Sequence, residues 1–472
     1  MDYKNEKLEE FNRFLSRSKV GIIGLGVSNL PLLDYLHDLG SNVTVFDNKE
    51  VEKIDQSIVD KLRKYNMSFY FGKNSLDNLK GFNIIFRSPS CLPTTTELVV
   101  EANNGAIVTT EIEMVLELAP CKTIGVTGSD GKTTTTTLIS EILKEDGYNV
   151  FLGGNIGKPI FTEIGNMKPE DVVVVELSSF QLMDMKVSPD IAVVTNITPN
   201  HLDIHKDMDE YINSKKNIFA HQDSNGVLII NYDNEITNRF YSQANGKAMY
   251  FSSKVKLDDG YIYDPDDEKI KVCENGLRKH IYDTRNMKLR GVHNFENACC
   301  AIMATKDLVK PESVVNVLDN FKGVEHRLEL ILETENRVKW YNDSVSSSPT
   351  RTMAGLNAFA LKNIILIAGG YDKHLDYTVM AKPIIDNCKG LVLLGQTADK
   401  IDKAVTDELK KQNKTMPIVR CNTLAETITE ANKLSQKGDI VLFSPASASF
   451  DMFKNFAERG ELFKENVKKM IK

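Results

Sequence analysis

The stretch TGSDGKTTTTT, residues 127–137, follows the short apolar run TIGV and decides how the middle of this chain folds. An apolar strand, a glycine-containing turn and a helix that begins at a lysine are the parts of a phosphate-binding loop. Gly128 and Gly131 let backbone N–H groups turn toward an anion, and the helix N-terminus adds a positive end. Lys132 can then reach the outer phosphates of a nucleotide, and the Thr133 hydroxyl can bind Mg²⁺.

The loop is a shortened variant, because a strict motif of this kind has another glycine at the position of Val126. A glycine turn that caps a threonine-rich helix is the structural alternative. The order of strand, loop, lysine and threonine favours the phosphate site.

Short β-branched runs alternate with amphipathic stretches on both sides of the loop, which is typical of parallel sheets covered by helices. The 472 residues exceed the roughly 250–300 that one hydrophobic core accommodates. We expect an α/β protein of three domains: a Rossmann-like parallel sheet in residues 1–110, a central, mostly parallel sheet of P-loop ATPase type in 111–322, and a Rossmann-like domain in 323–472. A meander or insertion is expected within residues 233–290. The predicted strands are KVGIIGLG, NVTVFD, SFYFG, NIIFRSP, AIVTT, KTIGVTG, NVFLGG, DVVVVELS, IAVVTNIT, GVLIINYD, VKWYND, NIILIAGG, GLVLLG and DIVLFSPA.

The composition limits the classes of partner. A formal charge of −7 argues against nucleic acid, which needs clustered positive charge. No apolar run approaches the ~20 residues that cross a bilayer, and the polar N-terminus MDYKNEKLEE does not look like a signal peptide. The 7 cysteines include no Cys-x-x-Cys pair, which favours reduced structural thiols. We expect a cytoplasmic monomer that binds small molecules.

The first block carries an incomplete dinucleotide fingerprint. Gly24 and Gly26 follow a strand, but Asn29 stands where the third glycine is required. Asp47 ends the next strand, where it can accept hydrogen bonds from a ribose or a base edge. A plain glycine turn and a nicotinamide-dependent oxidoreductase are both alternatives here, and Asn29 counts against the second.

Further polar residues follow strands of the central block. Glu176 ends a buried apolar run, where a carboxylate without a cation is costly, and Mg²⁺ prefers such oxygen ligands. His201 follows the next strand end. Tyr211 and Lys215 are four residues apart and share one helix face, although a free lysine cannot bind Mg²⁺.

The motifs TGSDGKTT, GGNIGKP, ELSSFQL, NHLD, GVHNFEN and EHR, in this order and with the lysine helix between NHLD and GVHNFEN, resemble the Mur ligase family of cell-wall peptide ligases. ELSSFQL and SPASASFDMFKNFAERG are most similar to the members that add D-glutamate to UDP-N-acetylmuramoyl-L-alanine. The resemblance implies an ATP-dependent ligase of peptidoglycan synthesis that passes through an acyl phosphate. It also implies two Mg²⁺ ions and carbamylation of Lys215, which would turn that cation into an anionic ligand.

The resemblance also implies the roles of individual residues. Catalysis and metal binding are assigned to Lys132, Thr133, Glu176, His201 and carbamylated Lys215. ATP binding is assigned to Gly128, Ser129, Asp130, Gly131, Lys132, Thr133, Thr134, Asn294, Asn297, Arg327 and Asp343. The UDP substrate is assigned to Val27, Ser28, Asp47, Asn48, Lys49, Asn155 and His201, and the incoming amino acid to Ser347, Lys373, Ser449 and Phe456.

The chain departs from the family pattern at several positions. Ser90 stands where relatives have glycine, Asn48 and Lys49 stand where Thr and Arg are usual, and residues 345–348 read VSSS instead of KATN. Lys49 retains the charge but not the fork of donors of an arginine. Other Mur-type ligases, folylpolyglutamate-type ligases and a nucleotide-binding scaffold without chemistry are the remaining alternatives.

Overall fold

The computed structural model describes residues 3–199, 204–289, 291–359, 363–373 and 375–471. The chain divides into two compact units, Met1–Phe321 and Lys322–Lys472. Unit 1 contains two β-sheets and unit 2 contains one, so the three-domain α/β expectation is confirmed at the level of the sheets. Within the described ranges, no helix is both long and apolar enough to cross a membrane.

The N-terminal sheet is entirely parallel, with strand order β3-β2-β1-β4-β5. The order reverses between β1 and β4, and ligands of such sheets bind at the carboxyl ends of the strands beside this switch point. The elements are α1 (Glu6–Leu15), β1 (Lys19–Ile23), α2 (Leu30–Asp38), β2 (Asn42–Asp47), α3 (Gln56–Lys64), β3 (Ser68–Phe71), β4 (Ile84–Arg87), α4 (Thr96–Asn103) and β5 (Ile107–Thr109).

The central sheet has strand order β14-β13-β12-β11-β10-β9-β6-β8-β7. The strands from β12 to β7 in this order run parallel, and the β12-β13-β14 meander is antiparallel, as expected for residues 233–290. The elements are α5 (Glu111–Leu118), β6 (Lys122–Thr127), α6 (Lys132–Glu145), β7 (Val150–Gly154), β8 (Val172–Glu176), α7 (Ser179–Leu182), β9 (Ile191–Val194), α8 (Met208–Ala220), β10 (Val227–Asn231), α9 (Glu235–Asn238), β11 (Lys247–Ser252), β12 (Gly260–Asp264), β13 (Lys269–Glu274), β14 (Leu277–Asp283), α10 (Val292–Thr305) and α11 (Pro311–Asn320).

The sheet of unit 2 has strand order β15-β16-β20-β17-β18-β19 and is parallel except for the edge strand β15. Its elements are β15 (Glu329–Glu333), β16 (Lys339–Asn342), α12 (Pro349–Asn357), β17 (Ile364–Ala368), α13 (Thr378–Asn387), β18 (Cys388–Leu393), α14 (Ala398–Gln412), β19 (Ile418–Arg420), α15 (Leu424–Leu434), β20 (Ile440–Phe443) and α16 (Phe456–Met470).

The strands form where the apolar runs predict them. All five residues of β8 are buried, as are those of β17, because helices cover both faces of these parallel strands. Gly131 is the N-cap of α6 and adopts the left-handed conformation at φ +80°. The central strands of each sheet therefore deliver their carboxyl ends, and the loops that follow them, to one edge.

Aromatic packing joins the N-terminal and central sheets within unit 1. The ring of Phe161 contacts Phe11, Tyr35 and Phe86, with ring centroids 5.2–6.4 Å apart. The buried Arg87 guanidinium donates a 2.6 Å hydrogen bond to the carbonyl oxygen of Met183. These contacts pack α1, α2 and β4 of the first sheet against the segments that follow β7 and α7 of the second.

Candidate active site

The phosphate loop is built between β6 and α6, and its two glycines are required by close contacts. A Cβ on Gly128 would lie 1.9 Å from Thr195 Oγ1, and one on Gly131 would lie 2.4 Å from Asn297 Oδ1. Both residues have positive φ, +152° and +80°, which side chains disfavour. The loop is therefore clamped between the segments after β9 and the start of α10.

Polar side chains hold the loop from both sides. Ser129 Oγ donates to the carbonyl of Thr198 at 2.9 Å and lies 3.0 Å from the hydroxyl of Tyr211. Asn196 Oδ1 accepts from the N–H of Asp130, whose side chain is exposed. Lys132 Nζ donates to the carbonyls of Gly128 and Ser129, both at 2.9 Å, so its ammonium lies over the loop.

Glu176 lies at the tip of β8 and is bound by two side chains. Thr133 Oγ1 donates to Oε2 and Asn155 Nδ2 donates to Oε1, both at 2.7 Å. Glu176 is 1% exposed, and among the described residues no lysine or arginine forms an ion pair with it. A buried carboxylate beside a hydroxyl, at the end of a phosphate loop, is a donor set that suits a hard cation such as Mg²⁺.

Lys215 is buried on α8, with 2% of its surface exposed. Its Nζ donates to the carbonyl of Gly128 at 2.8 Å and lies 4.9 Å from the centroid of the Tyr211 ring, which confirms the shared helix face. Burial and the nearby charge of Lys132 hold the pKa of Lys215 well below its usual value. The amine is therefore shifted toward its neutral, nucleophilic form.

His205 is a buried residue of this region that no sequence motif indicated. Its Nε2 lies 2.9 Å from Ser179 Oγ and its Nδ1 lies 3.2 Å from Glu210 Oε2, so it joins α7 to α8. The ring stacks on Phe180 at 5.0 Å. His201, predicted from the sequence as a metal ligand, lies outside the described residues.

A pocket of about 120 Å³ opens beside the phosphate loop. Asn297 and Asn294 contact each other at 3.3 Å on one face of α10, and Asn297 Oδ1 also accepts from Thr135 Oγ1 at 3.2 Å. Three of the lining residues, Thr195, Asn196 and Phe251, lie outside the sequence motifs. The pocket is lined by Asp130, Gly131, Thr195, Asn196, Phe251, His293, Glu296 and Asn297. Thr134, the other ATP candidate of the loop, is buried in the first turn of α6.

The first glycine loop is organised by Asp47 and Asn29. Asp47 accepts from the N–H of Leu25 at 2.8 Å and from the N–H of Lys49 at 2.9 Å. Its carboxylate therefore connects the loop after β1 with the loop after β2. Asn29 is 1% exposed and donates to the carbonyls of Ile23 and Gly24 at 3.0 and 3.1 Å. Asn29, which stands at the position of the expected glycine, therefore stabilises the turn through its side-chain hydrogen bonds.

The remaining candidates of this loop face solvent. Val27 is 73% exposed, Asn48 and Lys49 are exposed, and Ser28 is half-buried. Ser90, which replaces a glycine of the family pattern, does not have positive φ, and its hydroxyl lies 2.8 Å from that of Ser88. The serine is therefore accommodated without backbone strain.

Unit 2 places Asp343 and Ser347 in the loop after β16. Asp343 is buried and accepts from Ser346 Oγ at 2.6 Å and Ser444 Oγ at 2.7 Å. Burial raises the pKa of Asp343, and these hydrogen bonds oppose the shift. Ser347 is half-buried, and Arg327 is exposed.

The other amino-acid candidates lie at the carboxyl ends of β17 and β20. Lys373 is exposed, with Nζ 5.7 Å from the centroid of the Phe450 ring. Ser449 is buried, and Phe456, the first residue of α16, is 43% exposed. The buried Arg459 is part of the SPASASFDMFKNFAERG motif but had no predicted role, and it lies in the first turn of the same helix.

Comparison with known proteins identifies the family of the chain. Three domain families match the chain: a Mur ligase MurD-like N-terminal domain over residues 18–110, a Mur ligase middle domain over 126–305 and a Mur ligase glutamate ligase domain over 326–447. The chain is 46% identical to the UDP-N-acetylmuramoylalanine–D-glutamate ligase of Clostridium acetobutylicum, over 97% of this chain and 98% of that protein. It is also 46% identical to the ligase of the same name from Acetivibrio thermocellus, over 98% and 99%.

Solved structures share the fold. The UDP-N-acetylmuramate–alanine ligase of Thermotoga maritima superposes with a TM-score of 0.56 at 20% identity, covering 96% of this chain and 100% of that chain. The MurF ligase of Thermotoga maritima, solved in complex with ADP, gives 0.53 at 15% identity and covers 97% of both chains. Domain matches along most of the chain and full-length relatives lead to one conclusion: the chain belongs to the Mur ligase family.

Proposed function

We propose that this chain joins the amine of D-glutamate to the L-alanine carboxylate of UDP-N-acetylmuramoyl-L-alanine, with ATP cleaved to ADP and phosphate. The observation that carries the proposal is the 46% identity, over nearly the whole chain, to relatives named for this ligase reaction. The product would serve peptidoglycan synthesis, and we assign the reaction to a cytoplasmic monomer.

The reaction needs activation, because a carboxylate is a poor electrophile toward an amine. In the proposed sequence, a carboxylate oxygen takes the γ-phosphoryl group of ATP and ADP leaves. The nitrogen of D-glutamate then attacks the carbonyl carbon of the acyl phosphate, and the tetrahedral intermediate expels phosphate while the amine loses a proton. Alignment of the reacting groups can supply roughly 7–11 kcal/mol of the barrier.

Residues of the phosphate loop would bind and orient the triphosphate. The loop N–H groups and the N-terminus of α6 favour the anion, and Lys132 can move from the carbonyls of Gly128 and Ser129 to the outer phosphates. Thr133, Glu176 and, by resemblance, His201 would hold Mg²⁺, two ions being expected. Bound Mg²⁺ would offset the negative charge on the transferring phosphoryl group.

Lys215 would contribute as a carbamate. Its buried, neutral-shifted amine is suited to attack CO₂, forming an N–C bond and releasing a proton, and the product is an anionic oxygen ligand. The burial of Lys215, in contrast to the half-buried Lys216, supports the choice between the two neighbours.

The other substrates would bind at loops described above. We assign the UDP group to residues 1–110 through Val27, Ser28, Asp47, Asn48 and Lys49, with Asn155 of the central domain on the sugar or alanine end. ATP would bind in residues 111–322 through the loop, Ser129, Asp130, Thr134, Asn294 and Asn297, with Arg327 and Asp343 as further candidates from residues 323–472. Ser347, Lys373, Ser449 and Phe456 would bind glutamate. The oxidoreductase alternative finds no support in the family membership.

An amino-acid panel tests the proposal. Purified protein with ATP, Mg²⁺ and UDP-N-acetylmuramoyl-L-alanine should release phosphate with D-glutamate and form an adduct of the expected mass. L-glutamate, L-alanine and diamino acids should give little phosphate. Equal release with L-alanine or a diamino acid would assign the chain to another ligase of the family.

Two lysines of α6 provide a matched pair for the same assay. Lys132→Ala should abolish ADP release, because its ammonium lies over the phosphate loop. Lys144→Ala, at an exposed position where the ammonium pairs with Glu141, should leave it unchanged. Normal turnover in Lys132→Ala would refute the assignment of the loop.

A further inference from the structure

Arg459 is a buried guanidinium in unit 2, only 1% exposed, on the first turn of α16. Its Nε donates to Ser344 Oγ at 3.0 Å and its Nη2 to the Ser344 carbonyl at 2.8 Å. Its Nη1 donates to the carbonyls of Ser447 and Ala448, both at 3.0 Å. The planar fork of donors is thus bound to two separate loops at once.

In the part of the chain that the structure describes, no carboxylate is hydrogen-bonded to this charge. Every hydrogen-bond partner of Arg459 within the described part of the chain is a carbonyl or a hydroxyl, and only the more distant Asp451 opposes the cost of burial. Burial lowers the pKa of Arg459 to about 10. Since burying a charge is a costly way to stabilise a fold, the position of Arg459 calls for another reason.

The segments that Arg459 joins are those that carry the proposed glutamate site. The Ser344 loop leads to Ser347, and the Ser447–Ala448 carbonyls precede Ser449. Ser344 Oγ also donates to the carbonyl of Phe456 at 2.7 Å. 

The loop that carries Lys373 is held at the same point. The Tyr371 N–H donates to the Ala448 carbonyl at 2.9 Å, the same oxygen that Arg459 binds. A Cβ on Gly370 would lie 3.2 Å from Nη1 of Arg459. Ala446 adopts φ +57° within the bound loop, a conformation that an alanine keeps only when its surroundings impose it.

We propose that Arg459 is a positioning residue for the incoming amino acid, which holds Ser347, Lys373, Ser449 and Phe456 in one arrangement. The inference rests on the proposed function, since it assumes that these loops bind the amino acid.

Kinetics with each substrate varied in turn test the inference. Arg459→Lys keeps the charge but loses the fork of donors, so the KM for D-glutamate should rise about tenfold or more, as expected for lost charge-assisted hydrogen bonds. The KM values for ATP and UDP-N-acetylmuramoyl-L-alanine should stay unchanged. Arg420→Lys is the matched control, because Arg420 is half-exposed and pairs with Asp402 at the surface; all its KM values should equal those of the unmodified protein.

Two outcomes overturn the inference: no change in any KM, or an equal rise in all three with a lower melting temperature, which would indicate a purely structural role. If Arg459→Lys does not fold, Ser344→Ala decides, because it removes the hydroxyl between Arg459 and Phe456 and should also raise only the KM for the amino acid. Failure of the unmodified protein to use D-glutamate would instead refute the proposed function. The KM for the amino acid that the panel identifies would then test Arg459.

Discussion

Thr133 Oγ1 donates a 2.7 Å hydrogen bond to Glu176 Oε2 and so connects the phosphate loop to the tip of a strand 43 residues further along the chain. Asn155 binds the other oxygen of the same carboxylate at 2.7 Å. The start of α6, the segment after β7 and the end of β8 therefore meet at one buried carboxylate. This meeting point is where we expect the reaction to be most sensitive to substitution.

Glu176→Gln should reduce ATP turnover by about a hundredfold or more, as is typical when a group that stabilises transferring charge is removed. The amide keeps the shape but loses the charge that would bind Mg²⁺. ADP release at increasing Mg²⁺ concentrations measures the effect. Glu163→Gln, at an exposed position, is the control. Turnover equal to that of the unmodified protein would contradict a metal-binding role.

Lys215→Met should increase the free energy of unfolding near neutral pH, measured by urea unfolding in buffer depleted of CO₂. The pKa of Lys215 is lowered in the folded state, so the unfolded chain binds more protons between that pKa and the ordinary value of 10.5. The stability that wild-type protein gains with rising pH in this window should be absent from the variant. The difference between the two proteins should shrink as the pH approaches 10.5.

Lys216→Met is the control for that experiment, because Lys216 is the next residue of α8 and is only half-buried. An identical gain in both variants would show that the effect is not specific to the burial of Lys215.

Glu111→Gln should stabilise the protein above pH 7 and leave it little changed below pH 4.5. Burial raises the pKa of Glu111 from 4.5 to about 7, although its Oε1 accepts from the N–H groups of Ile160 and Phe161. The contribution of a carboxyl with raised pKa is present below its unfolded pKa and is lost as the pH rises through the folded pKa. The gain should reach about 3 kcal/mol at pH 8.

Urea unfolding at pH 5 and pH 8 measures this gain, with Glu117→Gln as the control on the exposed face of the same helix α5. A difference between Glu111→Gln and wild type that does not depend on pH would exclude titration of Glu111 as its cause.

Gly131→Ala should weaken ATP binding and destabilise the central domain by about 1–3 kcal/mol. Its Cβ would lie 2.4 Å from Asn297 Oδ1 at a φ of +80°. Gly147→Ala separates the effect of backbone strain from that of the close contact. Gly147 also has positive φ, +101°, but its Cβ would meet nothing within 4 Å. Thermal unfolding measures the loss of stability in each variant. An ATP titration should show weaker binding only in Gly131→Ala.

Much of the fold follows from local patterns. Every predicted strand is present, because continuous apolar runs such as VVVV of β8 can be buried only between two layers of helices. The strands that the sequence did not indicate include β15, which is half-exposed at a sheet edge, and the three-residue β19. Their residues carry little periodicity because only one side or a short length of each strand is covered.

The candidate site also has one part that the sequence predicts and another part that only the structure shows. The lysine, threonine and glycines of the phosphate loop are adjacent in sequence, and their chemistry can be predicted from spacing alone. The pocket residues Thr195 and Phe251 come from the segment after β9 and from β11, and no local pattern connects them with Gly131. Asn29 departs from the dinucleotide pattern, and only its contacts with Ile23 and Gly24 explain how the turn is held.

The sequence by itself determined the strand–loop–helix units and the family resemblance, since both depend on residues close together along the chain. Only the tertiary structure decided that Lys215 is desolvated beside Lys132 and that Arg459 joins two loops through carbonyl and hydroxyl partners. Burial, and with it the protonation and bonding of a side chain, depends on segments that pack together from distant parts of the chain.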